Sequence, residues 1–300
     1  MTAHARPGSS RDAYRTSGQA RSSFSRAASR PSVPSVSVVV PALNEARNLE
    51  AVLPELREAD ERIAEVVLID GGSVDDTVEV AQRLLPTVRV VRQGRRGKGN
   101  ALAAGFAAAR GDVIVMFDAD GSADPSEITA FVDALTEGAD FAKGTRYGWD
   151  AGSADITAVR STGNHGLNLA MNTAFGTRFS DLCYGYNAFW ADQLPVLDLP
   201  ESQQPSPDGT MLWGDGFEIE TVIACRFAAA DSAITEVPSV ERLRLHGASN
   251  LHAVRDGIRV LRTIATERVR AGRGMGGGAG RRERPGRHLP RLREAGRVAS

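Results

Sequence analysis

Between residues 35 and 145, short apolar runs alternate with longer amphipathic stretches, and a polar break closes each apolar run. Val36-Ser37-Val38-Val39-Val40 is β-branched and almost uniformly apolar, which predicts a strand covered on both faces. A helix is expected from about Ala46 to Arg57, then a strand at Val66-Val67-Leu68-Ile69. The pair Asp75-Asp76 can cap a helix that runs to about Leu85 and stops at Pro86. Val88 to Arg92 reads as a third strand, the Ala-rich stretch from Asn100 to Arg110 as a helix, and Val113 to Phe117 as a fourth strand. Asp124-Pro125-Ser126-Glu127 offers a cap, a proline at the first helical position and a glutamate at the third. Phe141-Ala142-Lys143 is a fifth, short strand.

Four βα units in succession predict an α/β fold with a doubly wound, mostly parallel sheet and helices on both faces. Ligands of such sheets bind beyond the carboxyl ends of the strands. Three polar segments fall at those ends: Pro41-Ala42-Leu43-Asn44-Glu45, Asp70-Gly71-Gly72-Ser73 and Asp118-Ala119-Asp120. The fold therefore places them on one rim, as one site.

The second half is less regular. Thr157 to Phe175 and Gly216 to Ala229 are expected helices, and Asn187 to Trp190 and Ile234 to Val237 expected strands. Leu251, Val254, Ile258, Leu261 and Ala265 make an apolar stripe at helical spacing, with Arg255, Arg259 and Arg262 on another face. Such a helix either packs its stripe on the domain and solvates its arginines, or lies on anionic lipid.

An apolar fraction of 42% over 300 residues supports a substantial core, and a net charge of −1 points to neither nucleic acid nor membrane as an obligatory partner. The charge is uneven, with arginines gathered at both ends. Residues 1–34 and 271–300 are too poor in apolar side chains to offset the cost of ordering, so both read as disordered basic tails around a domain at 35–270. Cys183 and Cys225 are far apart, with no Cys-x-x-Cys, and are expected as free thiols in a reducing cytoplasm. No apolar run is long enough to span a bilayer, and the N-terminus lacks the apolar region of a secretory signal. A cytoplasmic protein with peripheral contact to an anionic membrane is the expectation, and nucleic acid is not an expected partner.

Asp118 and Asp120 follow the apolar run Val113–Phe117 directly. Hard dications prefer oxygen ligands, and Mg²⁺ is usually held by one or two carboxylates plus substrate phosphates. A nucleotidyltransferase would use the same metal, but its Gly-rich loop with arginine after the first strand is not what Pro41–Glu45 provides.

These segments together resemble family 2 glycosyltransferases of the GT-A fold. Val38–Glu45 is similar to their opening strand and loop. Asp70-Gly71-Gly72-Ser73-Val74-Asp75-Asp76-Thr77 is similar to the second-strand motif, with an additional glycine. Gly97-Lys98-Gly99-Asn100 matches a helix start, and Asp118-Ala119-Asp120 the metal motif. Lys143-Gly144-Thr145-Arg146-Tyr147, Glu236-Val237-Pro238 and Arg244-Leu245-His246-Gly247-Ala248-Ser249-Asn250-Leu251 resemble the dolichol- and polyprenol-phosphate sugar transferases within that family.

The resemblance implies inverting transfer of a hexose from a GDP- or UDP-linked nucleotide sugar to a polyprenyl phosphate. Pro41, Ala42, Asn44, Glu45 and Asp70 would shape the nucleoside pocket. Lys98, at a helix start whose N–H groups favour anions, and Arg244 would face the diphosphate. Asp118 and Asp120 would hold Mg²⁺ or Mn²⁺ against it, with Asp120 the surer direct ligand, and Ala119 between them would line the nucleotide-sugar site. Arg146 and Arg160 would grip the acceptor phosphate, and Arg95 and Arg96 would be solvated. The alternative acceptor is a glycan hydroxyl or a small soluble molecule, for which Asp215 or Glu218 would be the base. Ser249-Asn250 in place of Ser-Lys and an aromatic segment at Asp181–Asn187 set this chain apart within the subgroup, and no C-terminal membrane helix is expected, a feature that some members have and others lack.

Overall fold

The computed structural model describes residues 30–148, 150–154, 158–206, 208–247 and 253–275. Within its two longest helices, the side chains of residues 158–160, 253–254 and 274–275 lie outside that description, as do both expected tails up to residue 29 and from 276.

Strand β1 (Val36–Ala42) lies inside a seven-stranded sheet, between β2 (Ile63–Asp70) and the central β4 (Val113–Met116), parallel to both. β3 (Arg89–Arg92) forms one edge beside β2, and β5 (Phe141–Thr145) pairs in parallel with β8 (Ile234–Pro238) at the other. β7 (Asn187–Trp190) runs antiparallel between β4 and β5. The register sets Ala42 beside Asp70 and Val39 beside Met116, so the carboxyl ends of β1, β2 and β4 open on one rim. β6 (Gly152–Ser153) and β9 (Val240–Glu241) make a small separate ribbon.

Alternation along the strands divides the core into two layers. Val38, Val40, Leu68 and Val115 face a layer with Leu49, Leu53 and Leu56 of α1 (Ala46–Glu58), Val80 of α2 (Thr77–Leu84) and Phe131 and Leu135 of α4 (Ile128–Thr136). Val39, Val67, Ile69 and Ile114 face the other layer. There they meet Leu102 and Phe106 of α3 (Lys98–Ala108), Met171 of α5 (Ala158–Phe175) and Leu197 of the short α6 (Leu194–Leu197). Ile223 and Phe227 of α7 (Ile219–Ala229) and Ile264 of α8 (Ala253–Met275) complete that layer. The α/β sheet with helices on both faces is as the sequence pattern implies.

The structure sharpens or corrects the expectation in three places. Asp75, rather than Asp76, does the capping: its Oδ2 accepts from Ala46 N at 3.2 Å and its Oδ1 from Thr77 N at 3.1 Å, so one carboxylate serves the first residues of both α1 and α2. Helix α8 continues to Met275, into residues expected as tail. Its rotation decides where the stripe points: Ile258, Leu261 and Ala265 are exposed, while Thr263, Ile264 and Glu267 are buried. The reason is an ion pair, since Glu267 accepts from Arg226 through both oxygens at 3.0 Å and from Trp213 Nε1 at 2.8 Å. A buried pair of this kind fixes a helix's rotation, because turning it would strand two charges in the core.

Candidate active site

The rim begins with two loops tied together. Asn44 adopts φ 58°, a left-handed conformation that asparagine tolerates. Its N–H donates to Ser73 Oγ at 3.0 Å and its Oδ1 accepts from Val74 N at 2.8 Å. Asp70 is buried at the end of β2 and accepts from Ser73 N at 2.9 Å, while Gly71 N donates to Ala42 O at 2.8 Å. Pro41, Ala42, Asn44 and Asp70 are thus brought together at one end of the rim.

Beyond β4 the chain delivers Asp118 and Asp120. Asp120 Oδ1 accepts from Ser122 N at 3.0 Å and Ser122 Oγ at 2.6 Å, a tight local turn that includes Gly121 at φ 76°. That left-handed φ favours glycine, and a Cβ there would also lie 2.6 Å from Leu245 Cδ1 of the 242–247 loop. That loop is pinned by Arg242 N on Ser122 O at 2.7 Å and Leu245 N on Asp120 O at 3.1 Å. Arg244 then reaches Asp120 Oδ2 with one terminal nitrogen and Glu45 Oε1 with the other, each at 3.1 Å. Glu45 also accepts from Asn48 Nδ2.

Lys98 occupies the opposite side. Its Nζ lies 2.8 Å from Asp118 Oδ1, 2.9 Å from Oδ2 and 2.7 Å from Glu220 Oε1. Burial alone would make Lys98 easier to deprotonate, but the two carboxylates outweigh it and raise its pKa. The Asp118 carboxyl is pushed up, first by desolvation and then by the charges of Asp120 and Glu220, against the pull of Lys98. Gly185 closes the floor: a Cβ there would lie 2.6 Å from Glu220 Oε1 and 3.3 Å from Asp118 Oδ2. Beneath it Lys143 is fully buried and donates to the carbonyls of Tyr184 at 2.6 Å and Gly144 at 3.1 Å, with its pKa lowered by burial.

The α3 N-terminus does not present the free N–H groups expected of it. Gly99 N and Asn100 N both donate to Asp215 O, at 2.7 and 3.2 Å, so the loop before α7 caps this helix. Gly97, at φ 113°, lies so close to that carbonyl that a side chain would not fit. Lys98 therefore offers its side-chain charge rather than a nest of amides.

Asp215 is buried and held at two points by Arg95, Nε to Oδ2 at 2.7 Å and Nη2 to Oδ1 at 2.8 Å. Arg95 also donates to the carbonyls of Glu201 and Gln204, at 2.8 and 2.6 Å. The expectation that Arg95 is solvated is thus corrected, because a fixed loop surrounds the guanidinium with acceptors. Arg96 is exposed. Glu218 folds back on its own loop, with Oε1 accepting from Gly214 N and Gly216 N at 3.2 Å.

Arg146 is enclosed. Asp181 takes its Nε at 2.7 Å and Nη2 at 3.0 Å, and Glu241 takes Nη1 at 3.0 and 3.2 Å. Its ring-stacked neighbour is Tyr184, 5.0 Å from the guanidinium carbon. Arg160 stands in the first turn of α5, and its side chain lies outside the described residues.

Sequence reasoning missed Glu220, Gly185, Lys143, Asp181 and Glu241. Glu220 lies in the same short stretch as Asp215 and Glu218, and its place in the first turn of α7 was the available signal. The others depend on contacts between distant segments.

The oxygen donors at the rim suit a hard dication. Asp118 and Asp120 supply two carboxylates, and among the described residues no third acidic, histidine or cysteine side chain completes a metal cluster with them. They fit a cation whose remaining ligands are phosphate oxygens and water.

Comparison with known proteins agrees with this geometry. Residues 37–191 match the family model described as glycosyl transferase family 2. The glycosyltransferase AglJ of Haloferax volcanii is 33% identical over 229 residues, covering 76% of this chain and 70% of that one. The polyprenol monophosphomannose synthase of Mycolicibacterium smegmatis is 31% identical over 170 residues, covering 54% of this chain and 64% of that protein. Among solved structures, glucosyl-3-phosphoglycerate synthase from Mycobacterium tuberculosis, in complex with Mn²⁺, uridine diphosphate and phosphoglyceric acid, has a TM-score of 0.61 at 22% identity and covers 84% of this chain and 85% of that one. The chain belongs to glycosyl transferase family 2 and is a glycosyltransferase with the GT-A fold.

Proposed function

We propose that this chain transfers a hexose from a GDP- or UDP-linked donor to a polyprenyl phosphate, with inversion at the anomeric carbon and with Mg²⁺ or Mn²⁺ at Asp118 and Asp120. One observation carries the reading: each rim carboxylate is matched with a cationic side chain, Lys98 on Asp118 and Arg244 on Asp120. Asp118 and Asp120 would hold a dication between them, and Lys98 and Arg244, no longer needed to neutralise the two acids, would then face the diphosphate. When bound, the cation acts as a Lewis acid that offsets charge on the leaving group. Lys98 and Arg244 add preorganised positive charge where negative charge develops, and Gly185 keeps the floor clear. Pro41, Ala42, Asn44, Glu45 and Asp70 form the nucleoside end. The Mn²⁺ and uridine diphosphate of the glucosyl-3-phosphoglycerate synthase structure support a metal and a nucleotide-sugar donor.

The state of the carboxylates supports an anionic acceptor. A phosphate is already anionic and needs no general base. Asp215 and Glu218, the two candidate bases, are engaged with Arg95 and with backbone amides, which favours an anionic acceptor over a hydroxyl. Arg146 meets the acceptor phosphate by giving up Glu241, whose bonds are longer than the Nε bond to Asp181, and Arg160 is the second arginine proposed for that phosphate. The name of the polyprenol monophosphomannose synthase relative supports the lipid.

A second reading, a small soluble acceptor, is favoured by the same arginine. With two carboxylates around it, Arg146 contributes little net positive charge until one departs. Transfer assays with GDP- and UDP-hexoses, offering undecaprenyl phosphate and phosphoglyceric acid in parallel, separate the two. The leading reading expects lipid product of inverted configuration, abolished by Arg146→Ala with donor binding intact. Transfer to the soluble acid alone would overturn it.

A further inference from the structure

Helix α8 has apolar side chains on two faces. Its inner face carries Val260 and Ile264 against the core, beside buried Thr263 and Glu267, and Glu267 is locked to Arg226 and Trp213. Its outer face carries Ile258, Leu261 and Val269, which are 63%, 47% and 56% exposed, together with Ala265. At about 100° per residue these four fall in one narrow sector. Arg255, Arg262 and Arg273 border that sector on one side and Arg268 on the other, all exposed. Contiguous apolar surface bordered by charge marks an interaction face.

We propose that this face of α8 docks on an anionic lipid bilayer, with the apolar stripe among the acyl chains and the arginines at the headgroups. Charge complementarity selects the occupant. From Ala253 to Ser300 the sequence has thirteen arginines against four acids. A second copy of this chain would set arginine flank against arginine flank across a two-fold axis, whereas an anionic surface neutralises both flanks at once. The placement also serves the site. Five residues join α8 to Gly247, at the end of the loop whose Arg244 holds Glu45 and Asp120, so a docked helix keeps the rim close to the membrane plane. The inference takes its purpose from the lipid-acceptor reading, but its geometry stands without it.

The test is co-sedimentation of the full chain with phosphatidylcholine vesicles, with and without one-third phosphatidylglycerol, at 50 and 300 mM salt. Binding is expected only with the anionic lipid and weaker at high salt. The double change Ile258→Glu, Val269→Glu and the double change Arg262→Gln, Arg268→Gln should each lower partitioning at least tenfold, with unfolding temperature and nucleotide-sugar binding unchanged. Equal binding to neutral vesicles overturns the proposal, as does binding that survives both double changes, which would assign adhesion to residues 276–300. A dimer in sedimentation velocity that the glutamates dissolve, without vesicle binding by the parent chain, assigns the face to a second copy and also overturns it. Vesicle binding without transfer to undecaprenyl phosphate would reject the acceptor reading while upholding the docking face.

Discussion

Lys98 holds Asp118 by both carboxylate oxygens, at 2.8 and 2.9 Å, and through Glu220 connects the carboxyl end of β4 to the first turn of α7. Two acids share one lysine at the place where the diphosphate is expected. Lys98→Met should lower kcat/KM for sugar transfer by about 10²–10³, in the range seen when one preorganised charge-stabilising donor is removed. Steady-state kinetics at saturating Mn²⁺ checks this; a change under threefold would place Lys98 outside the chemistry.

The pair Arg95–Asp215 has a different task. Asp215→Ala leaves a buried guanidinium without its carboxylate and should destabilise the fold by about 3–5 kcal/mol. Asp215→Asn should retain part of that stability and, in surviving protein, transfer activity. Denaturant unfolding and a transfer assay on both variants decide the matter. A stable, inactive Asp215→Asn would show that the residue acts in catalysis after all.

Gly185 tests how tightly the floor is built. An alanine methyl would press on Glu220 and Asp118, so Gly185→Ala should weaken donor binding about tenfold or more while shifting unfolding little. Titration calorimetry with the preferred nucleotide sugar is the measurement, and unchanged affinity would mean that the carboxylates yield.

Stability should fall in acid for a stated reason. Hydrogen bonds from Arg62, with Nε on Oδ1 at 2.9 Å and Nη2 on Oδ2 at 2.6 Å, hold the Asp60 carboxyl at about 2, below its ordinary 3.8. A depressed carboxylate stabilises the native state above its unfolded value and loses that contribution as pH falls through its folded one. About 1–2 kcal/mol should therefore disappear between roughly pH 4 and pH 2, and Asp60→Asn should remove that part of the slope. Urea unfolding at several pH values reads it directly, and parallel slopes in both proteins would contradict it.

Much of the rim could be read from the residues, because it depends on local signals. Strands covered on both faces read as apolar runs, and the breaks after Ala42, Asp70 and Phe117 are polar, Gly-rich or acidic. Those signals also set the register that aligns the three ends. What could not be read depends on partners far apart in sequence. The run Asn187–Trp190 announces a strand but not its antiparallel direction. The arginine beside Lys98 looks like a solvated loop residue until Asp215 is seen beneath it. The stripe on α8 reads either as a packing face or as a lipid face, and the Arg226–Glu267 pair shows why it turns outward.

The central claim is that Asp118 and Asp120 carry the donor diphosphate through a divalent cation. Calorimetric titration of the preferred nucleotide sugar into metal-stripped protein, with and without Mn²⁺, tests it most directly when repeated on Asp118→Ala, Asp120→Ala. The account predicts tight binding by the parent chain only with the cation, and no cation-dependent gain in the double variant. Equal donor affinity in all four titrations would contradict it.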